Sequence, residues 1–291
     1  MFTKKIFVAS MLIGFAAAIP GCVAPSDDLD LDEVSGADAE SAPLVVGDPY
    51  VASTTTGKSQ NGTVSISIPS GTASGNLLLL ILHRTDDLNF WGGPTQLADR
   101  MTPDDVDDWN GPVAKCSFDN SAGDFDCAGT DKNDLNQVVY WKKATAADVG
   151  GKVTTIDFPG SHPAWAIMAR IPNGGSNSNP VRAWLGQTSC DNIRGTRFPS
   201  VNGNSGDLLL LSSSFDDGAS SSVTSSNFTA PSGFARNAVV IDNDEAGYLY
   251  SRALTATGGT GTPASVGPES ATNVAACKDI AVSMVIRKTG T

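Results

Sequence analysis

The stretch GNLLLL at residues 75–80 returns as GDLLLL at residues 206–211 of this 291-residue chain, and this repeat decides the fold. Two further pairs of segments match in the same order: VVYWKKATA (138–146) with YLYSRALTA (248–256), and AIMARI (166–171) with AVSMVI (281–286). Several matches in one order indicate a duplicated structural unit. The halves are expected at about residues 60–172 and 187–288.

The repeated segments have the pattern of β-strands. They are short, rich in Val, Ile, Thr and Tyr, and separated by Gly, Ser, Pro and Asn. Residues 62–71, GTVSISIPSG, alternate apolar and polar side chains, which predicts one buried face. The leucine runs are apolar on both faces and therefore predict central strands that are covered on both sides. The prediction is an all-β, antiparallel, jelly-roll-like β-sandwich of two internal repeats, with about 12 strands.

The N-terminus has the features of an export signal. Lys4 and Lys5 precede an apolar run over residues 6–19, which suits a signal peptide and is short for a membrane span. The run ends at IPGC, residues 19–22, which resembles the lipobox of bacterial lipoproteins, although Pro20 departs from the usual small residue. The resemblance implies a signal peptide over residues 1–21 and lipidation of Cys22. An ordinary signal peptide cut nearby is the alternative.

An acidic segment follows the predicted anchor. Residues 23–48 contain eight acids and no Lys or Arg, so residues 22–48 are predicted to be a solvated, disordered linker before a domain at 49–291. That domain has a net charge of −6 and no cluster of basic residues, which excludes nucleic acid as a partner. The prediction is an exported protein, held by its lipid at the outer membrane or surface of a Gram-negative bacterium.

The duplicated pattern resembles a family of secreted bacterial and phage-associated β-sandwich modules. In that family P-x-G-x-x-x-G-D-L-L-L is followed by a Y-x-x-A-T-A strand, an NP connector and a second GDLLL half. Residues 177–187, NSNPVRAWLGQ, stand at the connector position. The resemblance covers about residues 60–288 and rests on structural residues. It implies a surface-associated protein in one composite domain and assigns no catalytic residue.

Four cysteines remain beside the lipidated one. In an oxidising compartment Cys116, Cys127, Cys190 and Cys277 predict two disulfides, and three connectivities are open. Their spacing does not fit a zinc site. Cys116–Cys127 is the shortest closure, and Cys190–Cys277 would then join the start of the second half to its last strand.

The two halves differ most between their leucine and tyrosine strands. There the first half has about 21 extra residues, within residues 99–134, which contain ten Asp and a net charge of −7. This stretch is expected to be an ordered, disulfide-closed loop specific to function. Clustered Asp side chains suit Ca²⁺, and Asp119, Asp124 and Asp126 are the candidate ligands, without EF-hand spacing. A solvated acidic loop is the alternative.

Aromatic side chains beside carboxylates predict a sugar-binding surface, because aromatic rings stack on sugar rings and carboxylates bond to hydroxyls. The candidate ligand-binding residues are Trp91, Trp109, Asp107 and Asp108. The alternative is that these aromatics cover the end of the sandwich.

The sequence contains no catalytic motif. Its two histidines, His83 and His162, lie in different contexts, and GxSxG, HExxH and phosphate-loop patterns do not occur. The leading hypothesis is a non-catalytic surface lipoprotein that binds a glycan or another envelope protein, or has a structural role. The alternative is a polysaccharide-acting hydrolase or lyase with a carboxylate pair. Ca²⁺ is the one candidate cofactor.

Overall fold

The fold was determined from a computed structural model of the chain. The structure describes residues 47–60, 63–85, 103, 108–119, 124–127, 135–154, 163–175, 178–188, 196–216, 229–242, 245–263 and 279–289. All of them lie in one compact unit, Ala39–Thr291. The predicted signal peptide and most of the predicted linker lie outside the described residues.

The described chain is an all-β, antiparallel sandwich, which confirms the predicted fold class. The strands are β1 (Ser53–Ser59), β2 (Ser65–Ser67), β3 (Leu77–Thr85), β4 (Asn110–Asp119), β5 (Asp124–Asp126), β6 (Leu135–Lys143), β7 (Lys152–Thr154), β8 (Ala164–Ile171), β9 (Val181–Gln187), β10 (Asn202–Gly203), β11 (Leu208–Asp216), β12 (Ala235–Asp242), β13 (Glu245–Ala253), β14 (Gly258–Gly259) and β15 (Asp279–Ile286). A 3-10 turn, Ala146–Asp148, follows β6.

Each half of the repeat forms one sheet. The first sheet has the order β1-β8-β3-β6-β4-β5, and the second has the order β9-β15-β11-β13-β12. Corresponding strands occupy corresponding places, and among the described strands β5 alone has no counterpart in the smaller sheet. The duplication seen in the sequence is therefore a duplication of sheet topology.

The strand registers repeat as well. Leu80 lies opposite Tyr140 in the first sheet, and Leu211 lies opposite Tyr250 in the second. The pairings of β3 with β8 and of β11 with β15 correspond in the same way. Since register decides which face each side chain takes, both halves bury equivalent positions.

The hexapeptide recurs because it builds a turn and then a buried strand. Gly75 and Gly206 have φ angles of 88° and 86°, in the left-handed region that favours glycine. The Gly75 amide donates to the Ala144 carbonyl at 2.8 Å, and the Gly206 amide donates to the Leu254 carbonyl at 2.7 Å. The same hydrogen bonds therefore connect the turn to the neighbouring strand in both halves.

The leucine runs are buried on both faces, as predicted. Alternate leucines of each run point into the core between the sheets, which includes Leu77, Leu79, Ile81, Leu208, Leu210, Ile167, Leu249 and Val282. The remaining leucines point outward, under the two-stranded ribbons β2–β7 and β10–β14. The sandwich therefore has three apolar layers around its two sheets.

The sheets face each other with their strand orders reversed, β6 against β11 and β8 against β13. At one lateral side the edge strands β1 and β12 are joined through side chains. Thr54 Oγ1 donates to the Asn237 carbonyl at 2.8 Å, and Lys58 Nζ donates to the Ile241 carbonyl at 3.0 Å. This arrangement corresponds to an approximate two-fold axis along the strand direction, so equivalent strand ends lie at the same end of the molecule.

Two features of the fold differ from the expectations. Each half includes an edge strand that begins before the expected start of the half: β1 precedes residue 60, and β9 occupies the segment expected as a connector. Both edge strands are partly polar, so they lack the alternation of a half-buried strand.

The acidic stretch 99–134 is not a single added loop, because it contains β4, the counterpart of β12. The extra length lies mainly between β4 and β6, where the chain over 119–134 stands in place of the short connection 243–244 of the second half. A smaller part lies before β4, where the segment 86–109 corresponds to the shorter segment 217–234.

Candidate functional site at the loop end of the sandwich

The two ends of the sandwich are built differently. At one end, here the turn end, β6 leads to β7, β8 to β9 and β10 to β11 through residues 144–151, 172–180 and 204–207. At the other end, here the loop end, β3, β4, β11 and β12 finish and β6, β8, β13 and β15 begin. The extra residues of the first half between β3 and β6 start from strand termini at the loop end, although the turn-end connection 144–151 is also longer than its counterpart 254–257.

A polar network joins the two sheets near the loop end. His83 on β3 shares a hydrogen bond between its Nδ1 and Ser214 Oγ on β11. Gln137 Nε2 donates to Ser212 Oγ at 2.8 Å, and Ser214 Oγ lies 3.5 Å from Gln137 Oε1. All four side chains are buried, so the network exchanges apolar packing for directional contacts between the sheets.

An aromatic contact completes this network. The His83 and Trp165 rings are stacked, with centroids 5.6 Å apart and an interplanar angle of 7°. A Cβ at position 247 would overlap with Trp165 Nε1, so Gly247 makes room for the indole. Burial lowers the pKa of His83 to about 3, and the imidazole is therefore neutral.

The serine and histidine resemble a nucleophile and its base, but their location argues against that chemistry. His83 is 1% exposed and Ser214 is 0% exposed, so substrate has no access to either atom in this arrangement. The contact therefore serves to hold the sheets together.

A row of acidic positions ends the second sheet at the loop end. Glu245, the first residue of β13, lies opposite Asp216 of β11 and opposite Asp242 of β12. Glu245 is 7% exposed, which is unusual for a carboxylate. The strand register thus aligns three acidic positions where the chain leaves the sandwich.

The equivalent row in the first sheet is not acidic. There Leu135, the first residue of β6, lies opposite Thr85 of β3 and Phe118 of β4. The two rows occupy the same place in the duplicated topology, so the acids of the second row are not required to build the scaffold.

The predicted Ca²⁺ ligands lie on the β4–β5 hairpin at the loop end. Asp119 is opposite Asp124 in the ladder, and Asp126 is opposite Ser117. The backbone register therefore brings the three predicted residues onto one short hairpin. Among the described residues, no group of three or more His, Cys, Asp or Glu side chains is arranged to hold a metal ion.

The predicted sugar-binding residues are not brought together by the described structure. Trp109 is 6% exposed and packs under the outer layer of the first sheet, with Lys142 Nζ 4.9 Å from the ring centroid. It therefore covers the sandwich, as the packing alternative expects. Asp108 is exposed beside it. Trp91 and Asp107 lie outside the described residues.

One predicted disulfide is present. Cys116 of β4 and Cys127, which follows β5, are bonded, with Cα atoms 4.1 Å apart. Cys116 is buried in the core between the sheets, so the bridge fastens the added hairpin to the scaffold. Cys190, Cys277 and the predicted lipidation site Cys22 lie outside the described residues.

Sequence reasoning missed the polar network, for which the repeat held a signal. Aligning the two leucine runs places His83 at the position of Ser214, and aligning the tyrosine strands places Gln137 at the position of Gly247. The departures from the repeat therefore coincide with the residues that meet across the two-fold axis.

The described part of the chain contains no helix long and apolar enough to span a membrane. Comparison of the whole chain with protein families, with curated proteins and with solved structures finds no match in any of the three.

Proposed function

We propose that this chain is a lipid-anchored envelope protein with a non-catalytic sandwich that binds a glycan or another envelope component through its loop end. The observation that carries the proposal is the division between repeated and non-repeated parts. Both halves share strand order, register and turns. The added hairpin of the first half and the acidic row of the second half have no counterpart in the other half, and both lie at the loop end. Binding residues are commonly placed on connections at one end of a rigid scaffold.

Binding is tested with the chain 22–291 carrying Cys22→Ser on a glycan array and in an adhesion assay to bacterial cells. The matched control replaces residues 119–134 with Asn-Asp, the connection of the second half, and Cys116 with Ala, because its disulfide partner is removed. Signal from the parent chain that is lost in the control supports binding by the added hairpin. Silence of the parent in both assays contradicts binding and leaves a structural role.

The anchor is tested separately. Labelled fatty acid should be incorporated at Cys22, and Cys22→Ala should release the protein from membranes in soluble form. A Cys22→Ala protein that stays membrane-bound would contradict the lipid anchor.

Ca²⁺ is proposed as a ligand of the added hairpin through Asp119, Asp124 and Asp126, because the register collects these acids there. Ca²⁺ should raise the Tm of the parent, and Asp124→Asn with Asp126→Asn should remove the rise. An equal rise in parent and variant would contradict this site.

A polysaccharide-acting hydrolase or lyase is the second candidate, and the acidic row favours it. The register places Glu245 directly opposite Asp216 and Asp242 on the neighbouring strands, and a pair of carboxylates is what most glycosidases use. Release of reducing ends from envelope polysaccharide should then occur and be lost in Glu245→Gln. No release by the parent would exclude this candidate.

A further inference from the structure

The described charges are separated along the strand axis. For each end we count its connections and the two residues of every strand nearest to it. At the loop end seven acids stand against Lys58, Arg84 and Arg197, a net charge of −4: Asp119, Asp124, Asp126, Asp216, Asp242, Glu245 and Asp279. At the turn end nine bases stand against four acids, a net charge of +5: Lys142, Lys143, Lys152, Arg170, Arg182, Arg236, Arg252, Arg287 and Lys288 against Asp48, Asp108, Asp148 and Asp207.

Three acids of the turn end are neutralised by ion pairs with bases of the same end. The pairs are Asp48–Lys288 at 2.5 Å, Asp148–Lys142 at 2.7 Å and Asp207–Arg182 at 2.6 Å. The described residues provide no carboxylate partner for five other bases: Lys143, Lys152, Arg170, Arg252 and Arg287.

Three of these five bases are held in place by neutral groups. Arg170 donates to the Gly71 carbonyl at 2.6 Å and to Ser53 Oγ at 3.0 Å. Lys143 donates to the Gly175 carbonyl at 3.2 Å, and Arg252 lies 4.5 Å from the Phe234 ring centroid. Since carbonyls and rings carry no net charge, the positive charge of the turn end is not cancelled by these contacts.

The chain enters the sandwich at this same end. Asp48, the last acid of the predicted linker, is buried and pairs with Lys288 directly after β15. Residues 22–46 would join this point to a lipid on Cys22. A charged linker self-repels and extends, so 25 residues reach at most about 80–90 Å. An anchored sandwich would thus be tethered to the bilayer through the end where its chain enters.

We propose that the turn end is a membrane-facing surface that binds anionic lipid headgroups and directs the acidic loop end away from the bilayer. This inference rests on the proposed anchor. Each Lys or Arg near an anionic bilayer raises the partition coefficient about fivefold, within a Debye length of about 8 Å. An anionic bilayer repels the acidic loop end and attracts the basic turn end, and both forces orient the turn end toward the bilayer. The linker's charge of −8 opposes binding, so it is kept unchanged in every variant.

The test measures co-sedimentation of the chain 22–291 carrying Cys22→Ser with vesicles of phosphatidylcholine alone or mixed with phosphatidylglycerol. The variant Lys152→Glu with Arg287→Glu reverses two charges of the turn end. The matched control, Lys115→Glu with Arg197→Glu, reverses two charges that lie outside the turn end. Circular dichroism checks that each chain is folded, and Lys152→Gln with Arg287→Gln replaces the first variant if that one is not.

The parent should prefer mixed vesicles at an ionic strength of about 0.15 M and lose the preference in high salt. The turn-end variant should bind at least about tenfold more weakly, while the control binds like the parent. Equal binding to both vesicles, or equal weakening of variant and control, would overturn the proposal. Incorporation of fatty acid at Cys22 is measured independently, so failure of this surface and failure of the anchor are distinguishable.

Discussion

The two halves of the sandwich have the same strand topology, so they can be compared position by position. Where Leu80 and Leu211 stand, the halves have the same register, the same turn and the same burial. Where the same strands finish, at the loop end, they diverge. One half has apolar residues and an added hairpin there, and the other has a row of acids. The features that both halves share are therefore those that the fold requires, and the loop-end features that differ are candidates for a specialised function.

The largest expected effect on stability comes from a disulfide that closes the second half. β9 and β15 are neighbours, and beyond their last paired residues Thr188 Oγ1 still lies 3.4 Å from Asp279 Oδ1. Cys190 and Cys277 follow and precede these residues by two positions each, so we predict that they are bonded. Closing a loop as long as the one between them gives about 4–5 kcal/mol in the chain-entropy model.

Mass spectrometry of peptides from the unreduced protein should find Cys190 joined to Cys277. Cys190→Ala with Cys277→Ala should lower the free energy of unfolding by about that amount. Free thiols at both positions, or a bond to another cysteine, would contradict the prediction.

The next effect tests whether the added hairpin is dispensable. Replacing residues 119–134 with Asn-Asp and Cys116 with Ala gives β4 and β6 the short connection of β12 and β13. The sheet should still form, because β4 is the one described strand that pairs with β5. The loss of stability should be about 3 kcal/mol, from the Cys116–Cys127 closure.

Urea denaturation of parent and variant measures that loss, and Cys116→Ala with Cys127→Ala is the control for the bridge alone. A variant that cannot fold while the control folds would show that the hairpin is part of the scaffold.

The buried histidine predicts a dependence of stability on pH. Burial lowers the pKa of His83 from 6.5 to about 3 in the folded state, so between these values the unfolded state binds a proton that the folded state does not. The stability is fully present above pH 6.5 and is lost as pH falls, by about 1.4 kcal/mol per pH unit.

Comparing urea denaturation at pH 7 and pH 5 gives the slope. His83→Gln should reduce it, and His162→Gln is the control at the other histidine. Equal slopes in the parent and His83→Gln would show that other groups govern the acid sensitivity.

The sequence predicted the parts of the fold in which apolar pattern and turn chemistry agree. The leucine runs, the tyrosine strands and the Cys116–Cys127 bridge are of this kind. The edge strand β1, STTTGKS, escaped prediction because it has no apolar pattern, and backbone pairing with β8 and side-chain contacts with β12 hold it. The network at His83 could not be predicted from one strand, since its partners lie on β6 and β11, far along the chain, and meet it only when the sheets pack.

The smallest effect concerns the one residue that differs within the repeated hexapeptide. Asn76 accepts a hydrogen bond from the Ala73 amide at 3.1 Å, which closes its turn. Asp207 closes the equivalent turn and also binds Arg182 at 2.6 Å and the Lys288 amide at 3.0 Å. The same turn therefore carries an ion pair in the second half alone, among the residues that the structure describes.

Asp207→Asn should cost about 1–3 kcal/mol, because an amide cannot serve all three donors and leaves the Arg182 guanidinium without its charge partner. Asn76→Asp should change stability by less than about 1 kcal/mol, since among the described residues the Ala73 amide is the one donor to this side chain. Both substitutions keep the shape of the side chain, and one removes a negative charge while the other adds one. Thermal melts of the two variants therefore compare the two turns directly. A smaller loss for Asp207→Asn than for Asn76→Asp would mean that the ion pair adds nothing to the turn that both halves share.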